Sequence, residues 1–186
     1  TQRDFLEPSG ALYVPDSVAI VDNLARLTGF ARTHDIPVLA TACAHTPEDR
    51  EFEDFPPHCL LGTSGQSRID ATAWPGGQTL ASDEGFVGSL PAHLTVEKKE
   101  YKVSSHPEAG RLLSLYDRGH PTFVVYGVAT DYCVEAAASW LLGHRCRVAI
   151  VVDAIRAIDP SNEGNVLSDL VSRGALLTLT DVVCDE

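Results

Sequence analysis

Several features that direct proteins to membranes or nucleic acids are missing from this 186-residue sequence. No apolar run approaches the roughly 18 residues that a membrane-spanning helix requires. Basic residues are scarce, with 14 lysines and arginines against 26 aspartates and glutamates, and the net charge is −12. Nucleic acids and anionic lipid surfaces attract basic patches, so neither is an expected partner. The first residues are polar and do not have the pattern of a signal peptide.

A regular cysteine pattern is also missing. The five cysteines are odd in number and widely spaced, so they do not indicate a disulfide framework. The resulting expectation is a reducing, cytoplasmic setting. Each thiol then needs its own explanation through burial, metal binding or catalysis. We expect Cys146 to belong to the core and Cys184 to have no special role.

Apolar runs and helical segments alternate along the chain. Hydrophobic residues make up 44% and charged residues 22%, which is ordinary for a globular protein. Apolar runs separated by amphipathic helices predict parallel strands that are covered on both faces. We therefore predict a single domain over residues 1–186, with a three-layer α/β/α fold and a central, mainly parallel sheet. The predicted helices are 17–32, 107–116, 131–142 and 163–173, and the predicted strands are 36–42, 94–96, 122–126, 147–152 and 175–179.

Two parts of this pattern are unusual. The pattern opens with a helix, although a strand ordinarily leads into the first helix of an α/β domain. We therefore expect an opening strand to precede Thr1. Residues 43–92 are long, irregular and rich in proline, glycine, aspartate and histidine. A stretch of this length in a compact domain usually carries a functional site or short local structure.

Cys133 follows a strand, a glycine turn at Gly127 and the start of a helix. Free backbone N–H groups and the positive end of the helix dipole lower the pKa of a thiol at such a position. Ligands bind at the carboxyl ends of strands in open α/β sheets, and the same N–H groups hold an oxyanion. A catalytic nucleophile is one interpretation of Cys133, and a small buried cysteine is the other.

A second group of chemically active residues lies in the long loop. Cys43 and His45 are two residues apart at the end of a predicted strand, so their side chains point the same way. His58 follows later in the loop, and thiolate and imidazole ligands suit zinc and similar ions. The alternative is a loop whose polar side chains are solvated. For Phe52 and Phe55, packing beneath the loop is the simplest interpretation.

Three lysines flank the end of the strand predicted at 94–96: Lys98, Lys99 and Lys102. A lysine directed into a partly buried site stabilises a thiolate or a developing oxyanion. Composition alone favours solvated side chains for all three.

Together, these segments resemble the isochorismatase-like cysteine hydrolases, the superfamily that includes nicotinamidases. Residues 127–134 are similar to the nucleophile motif of that family. Residues 55–63 resemble the segment that carries a metal-binding histidine in nicotinamidases. Residues 98–103 resemble the catalytic-lysine segment, in which Lys98 is the match. Residues 1–5 resemble the end of the opening motif.

The resemblance implies hydrolysis of a small amide to a carboxylic acid and ammonia through a thioester. Cys133 is then the nucleophile, supported by Lys98. The backbone N–H groups of Ala129 and Cys133 form the oxyanion hole, with a cis peptide expected before Ala129. The family's catalytic aspartate falls immediately before Thr1, and Asp4 matches a different aspartate of the motif.

The resemblance also implies a metal site and a place for a flat ring. Nicotinamidases hold a metal that binds the pyridine nitrogen of the substrate, and they have an aspartate where this chain has Cys43. The expected ligands of zinc or another divalent metal here are Cys43, His45 and His58. An additional histidine of some relatives falls near Glu51. Phe5 and Phe55 match aromatic positions beside the substrate.

Three functions follow from this resemblance. Nicotinamide is the leading substrate, and hydrolysis of another small amide, carbamoyl or maleamate-like, without metal is the first alternative. The second alternative is an inactive relative that binds a small molecule. A vinyl-ether hydrolase is less favoured because that chemistry does not use a thiol. Relatives often form dimers or tetramers, so a homo-oligomer is also expected.

Overall fold

The computed structural model describes residues 1–185 and consists of six strands and six α-helices with short 3-10 turns. The strands are β1 (Val38–Cys43), β2 (Gln78–Leu80), β3 (His93–Lys98), β4 (Thr122–Val128), β5 (Arg147–Arg156) and β6 (Leu176–Thr178). The helices are α1 (Arg3–Leu6), α2 (Val21–Thr33), α3 (Ala109–Tyr116), α4 (Glu135–Gly143), α5 (Glu163–Ser172) and α6 (Thr180–Cys184). Among residues 1–185, no helix is both long and apolar enough to cross a membrane.

All strand pairs are parallel, as the sequence predicts. The strands form two three-stranded sheets, with the orders β1-β3-β2 and β4-β5-β6. The register of the first sheet pairs Cys43 at the end of β1 with Lys98 at the end of β3. Parallel strands present their carboxyl ends at one edge, and this edge carries both predicted site residues.

Helices cover the second sheet on both faces, which confirms the layered fold. Leu24 and Leu27 of α2 pack with Val151 of β5 in one buried cluster. On the opposite side, Ile150 of β5 packs with Ala138 of α4 and with residues of α5. β5 is therefore apolar throughout its centre, because a strand covered on both faces must bury successive side chains.

Several element boundaries differ from the sequence prediction. The helix predicted at 17–32 begins as a 3-10 turn and becomes α2 only at Val21. The helix predicted at 131–142 begins with a π-helical turn at Thr130–Val134 and continues as α4. The strand β2 was not predicted, because it has only three residues and Leu80 alone among them is apolar and buried. β5 extends to Arg156, beyond the apolar run that predicted it.

The N-terminal segment is tied to the long loop by side-chain hydrogen bonds. Gln2 is buried, and its amide accepts the N–H of Cys43 and donates to the carbonyl of Cys43, each at 2.7 Å. The Asp4 carboxylate accepts the N–H of Cys59 at 2.6 Å and the N–H of Ala11 at 3.1 Å. Asp4 thus fixes two backbone N–H groups of neighbouring segments, and we assign it no catalytic role.

Gly65 of the long loop lies against this carboxylate, and its carbonyl accepts the N–H of Asp4 at 3.0 Å. A Cβ placed on Gly65 would lie 2.3 Å from both carboxylate oxygens of Asp4. We predict that Gly65→Ala lowers the free energy of unfolding by about 1–3 kcal/mol, because overpacking displaces Asp4 from its backbone partners. Urea denaturation measures this loss.

Gly164→Ala is the matched control. It lies in α5, and a Cβ there meets nothing within 4 Å. Alanine is favoured over glycine in a helix, so this variant should be as stable as the parent or more stable. Equal stability of the two variants would contradict the contact between Gly65 and Asp4.

Candidate active site and metal centre

Three strand ends bring the predicted catalytic residues together. Lys98 ends β3, Cys43 ends β1 beside it, and Cys133 follows β4 in the π-helical turn. The Lys98 ammonium donates to Cys43 Sγ at 3.2 Å and to Cys133 Sγ at 3.5 Å. The lysine and both sulfurs therefore form one cluster, in which Lys98 and Cys43 are buried and Cys133 is partly exposed.

The buried charge of Lys98 is stabilised by its neighbours. Only 2% of its surface is exposed, whereas Lys99 and Lys102 are exposed to solvent. Burial disfavours the ammonium, but the charges of Cys133 and Cys43, the hydrogen bond to Cys43 and the charge of Glu51 outweigh it. The pKa of Lys98 is consequently raised, and this lysine stays protonated.

The two thiols influence each other and do not titrate independently. The neighbouring Cys133 thiol is the main reason that the pKa of Cys43 is lowered to about 6, with further help from Lys98. Cys43 in turn, together with burial, raises the pKa of Cys133 well above its ordinary value despite Lys98. The expected lowering of the Cys133 pKa is therefore wrong. The pair loses its first proton readily because of Lys98 and its second only with difficulty.

The turn that carries Cys133 has an unusual backbone. Gly127 has φ +119°, a conformation that favours glycine, and the Val128–Ala129 peptide is cis as the resemblance implies. The Ala129 carbonyl accepts N–H groups from Tyr132 and Val134. Cys133 is thus held in a fixed turn at the carboxyl end of β4.

Polar contacts connect this turn to the end of β5. The Asp131 carboxylate accepts the N–H of Ile158 at 2.9 Å and that of Asp159 at 2.8 Å. Thr130 donates its hydroxyl to Glu163 at 3.0 Å. These contacts place Ile158 beside the turn, where it contributes to the wall of the pocket above Cys133.

That pocket contains most of the predicted site residues. Phe5, Phe55, Ala129 and Cys133 all line it, and Lys98 lies behind Cys133. The sequence did not identify five further residues of the wall, which are Leu12, Glu51, Tyr101, Tyr132 and Ile158. The lining consists of Phe5, Leu12, Cys43, Glu51, Phe55, His58, Tyr101, Ala129, Tyr132, Cys133 and Ile158.

Aromatic rings form one side of the pocket. Phe55 meets Tyr132 edge to face with ring centres 5.1 Å apart, and Tyr132 meets Tyr101 at 5.7 Å. The ring of Phe5 lies 5.4 Å from that of His58. Phe52 packs on His45 beneath the loop, as expected for a packing residue. Such walls favour a small, flat ligand.

The three expected metal ligands are also together, with a fourth. Cys43, His45, His58 and Glu51 place one ligand atom each within 4.8 Å of one another. Glu51 Oε1 lies 3.7 Å from His45 Nε2 and 3.6 Å from His58 Nε2. Glu51 was not predicted as a ligand, because it is one of several acidic residues in this stretch and the sequence does not distinguish it from them.

Both histidines turn the same nitrogen toward this cluster. His45 Nδ1 donates to Asp49 at 3.1 Å, and His58 Nδ1 donates to the carbonyl of Pro56 at 2.8 Å. Each Nε2 is then free to bind a metal through its lone pair. His45 Nε2 is buried without a hydrogen-bond partner. Burial lowers the pKa of His45, although Asp49 opposes it, so the ligand form is neutral.

Glu51 completes a donor set that suits a divalent metal. Burial would raise the pKa of Glu51, but the neighbouring His58 ring and the charge of Lys98 outweigh it and lower that pKa. The cluster therefore offers a carboxylate, a cysteine sulfur and two imidazole nitrogens. This set and the partnerless Nε2 fit zinc.

Comparisons with known proteins agree with this geometry. A curated relative, nicotinamidase 1 of Arabidopsis thaliana, is 29% identical over 110 residues, or 53% of this chain. The matched part spans only 37% of that relative. The pyrazinamidase/nicotinamidase structure from Streptococcus mutans has a TM-score of 0.79 and 23% identity, with 95% of each chain covered.

A second solved structure is a pyrazinamidase of Pyrococcus horikoshii in complex with zinc. It has a TM-score of 0.74 and 26% identity, and the match covers 96% of this chain and 94% of that one. The family model of the isochorismatase domain matches residues 1–182. With the parallel fold and the cysteine turn at its strand ends, this chain belongs to the isochorismatase domain family.

Proposed function

We propose that this protein hydrolyses a small, flat amide to a carboxylic acid and ammonia, with nicotinamide as the leading substrate. The observation that carries the proposal is Cys133 in an aromatic pocket, with the Lys98 ammonium 3.5 Å from its sulfur. A nucleophile with an adjacent buried cation suits attack on a carbonyl. Similarity to nicotinamidases supports the substrate class.

The reaction begins at Cys133 Sγ. The Cys133 thiol gives up its proton as its sulfur attacks the amide carbon, a C–S bond forms, and the carbonyl electrons move to oxygen. Backbone N–H groups of Ala129 and Cys133 hold that oxyanion, as the family motif implies. The C–N bond then breaks, and ammonia leaves with the thiol proton. Water hydrolyses the thioester to the acid and restores the thiol.

Lys98 supports this sequence electrostatically. Its charge stabilises the thiolate before attack and balances the negative charge that develops afterwards. The resemblance assigns the proton transfers to an aspartate that precedes Thr1 in the motif. Phe5 and Phe55 flank the pocket and would stack on the substrate ring.

The four-residue cluster would hold a metal beside the same pocket. Cys43, His45, Glu51 and His58 are the proposed ligands, and Glu51 and His58 line the substrate pocket as well. When bound, a divalent metal supplies a Lewis acid for a ring nitrogen of the substrate. Asp49 is a positioning residue, since it fixes the ring of His45.

One contact favours a metal-independent amidase as the second candidate. The sulfur of Cys43 already has a hydrogen bond from Lys98 at 3.2 Å, so the cation and a metal would compete for it. An amide without a ring nitrogen, such as a carbamoyl or maleamate-like compound, needs no metal to hold it. Insensitivity of turnover to chelators would favour this candidate.

Ammonia release from a panel of aromatic and aliphatic amides tests the reaction, using the full-length natural protein. We predict turnover of nicotinamide that falls by about 10⁴-fold or more in Cys133→Ala, because the nucleophile is removed. Cys146→Ala is the control, since Cys146 is buried elsewhere in the core. Undiminished turnover in Cys133→Ala would refute the thiol mechanism.

The charge of Lys98 is tested by thiol reactivity. In the parent, alkylation by iodoacetamide should rise as pH passes about 6, where the Cys43–Cys133 pair loses its first proton. Lys98→Met removes the cation that favours the thiolate, so the rise should move to higher pH. The measurement is the alkylation rate against pH in the presence of a chelator.

Lys99→Met is the matched control, because it removes the same charge from an exposed neighbour. Its pH profile should coincide with that of the parent. A common shift in both variants would show a general charge effect, and the role given to Lys98 would be wrong.

Metal binding is tested by titrating chelator-treated protein with zinc or cobalt. We predict one metal per chain, lost in His58→Ala and weakened about 10–100-fold in Asp49→Ala, because Asp49 orients a ligand from behind. Glu53→Ala is the control, since Glu53 is exposed on the same turn as Glu51. Stoichiometric binding retained by His58→Ala would exclude this cluster.

A further inference from the structure

Cys43 and Cys133 come from different sheets but face one buried cation. Lys98 Nζ is 3.2 Å from one sulfur and 3.5 Å from the other. Both line the same pocket, so small molecules that enter it reach a dithiol.

The proposed amide hydrolysis forms and breaks bonds at only one of these sulfurs. Cys133 makes the thioester, whereas Cys43 takes no part in that bond making. A second thiol beside a reactive thiol is the arrangement that converts an oxidised cysteine into a disulfide. Cys59, by contrast, is fully buried and does not line the pocket.

We infer that Cys43 and Cys133 form a peroxide-sensitive dithiol, which hydrogen peroxide or another small hydroperoxide converts reversibly into one disulfide. The inference goes beyond amide hydrolysis, because it assigns the pocket a second, oxidative chemistry. It also gives Cys43 a covalent part independent of metal binding.

The exposure of the two thiols sets the order of events. Cys133 is partly exposed and Cys43 is buried, so peroxide reaches Cys133 first. Cys133 Sγ gives up its proton and attacks one peroxide oxygen, the O–O bond breaks, and water leaves with that proton. The sulfur is thereby oxidised to a sulfenic acid, and Lys98 stabilises the thiolate that reacts.

Cys43 then resolves this intermediate. Its sulfur attacks the sulfur of Cys133, the S–O bond breaks, and water leaves with the proton of Cys43. The two thiols lose two electrons in total, and one peroxide molecule gains them. The product lacks a free nucleophile at Cys133, and a dithiol reductant restores it.

Mass spectrometry of the full-length protein tests the inference. Chelator-treated protein is exposed to stoichiometric hydrogen peroxide, alkylated and digested. We expect a loss of two hydrogens per chain and one cross-linked peptide that joins Cys43 to Cys133, both reversed by dithiothreitol. Because this readout does not use turnover, it remains valid whether or not nicotinamide is a substrate.

Two single variants test the pairing. Cys43→Ala should form no disulfide, and its Cys133 should gain oxygen atoms that dithiothreitol does not remove. Cys59→Ala is the matched control, since it removes a buried thiol outside the pocket and should keep the cross-link. Circular dichroism of each variant confirms that it is folded before oxidation.

Two results with the parent protein would overturn the inference. The first is oxygen addition at Cys133 with no cross-link to Cys43. The second is a cross-link that joins Cys133 to Cys59 instead of Cys43. Either result comes from the parent chain and needs no variant to fold.

Discussion

The buried ammonium of Lys98 is the interaction on which this site depends. A charge removed from water costs on the order of several kcal/mol unless its neighbours compensate. Here the compensation comes from two sulfurs and from the carboxylate of Glu51. The lysine, the dithiol and the candidate metal centre therefore form one electrostatic unit, in which a change at one member alters the charge of the others.

The position of this unit is set by backbone geometry on both sides. The parallel register places Cys43 next to Lys98. At the end of β1, the Gln2 amide takes the place of a neighbouring strand, because it hydrogen-bonds both the backbone N–H and the carbonyl of Cys43. The glycine turn after β4 brings Cys133 from the other sheet. The site belongs to no single strand or helix, because its reactive side chains lie where the ends of separate strands converge.

Part of this arrangement could be predicted from the sequence. Apolar runs between amphipathic helices predicted parallel strands, and a glycine between strand and helix located Cys133 at a strand end. The i, i+2 spacing placed Cys43 and His45 on one side. These predictions succeeded because each depends on local periodicity or local turn chemistry.

The remainder depends on contacts between distant segments. The pairing of Cys43 with Lys98 requires a strand register that periodicity does not contain. Glu51 becomes a candidate ligand only after the loop folds back over His58. The lowered pKa belongs to Cys43 rather than Cys133 because of a neighbouring thiol 90 positions away in sequence. Tyr101 and Tyr132 likewise meet only in the folded chain.

The origin of the site in separate strands has a consequence for how the site varies. Lys98 and Cys43 end two paired strands, and Cys133 follows a strand from a distant part of the chain. The distance between the nucleophile and its cation therefore depends on where these strand ends are placed. Substitutions that move either strand end would change this distance, and with it the reactivity of Cys133, while every residue of the pocket stays the same.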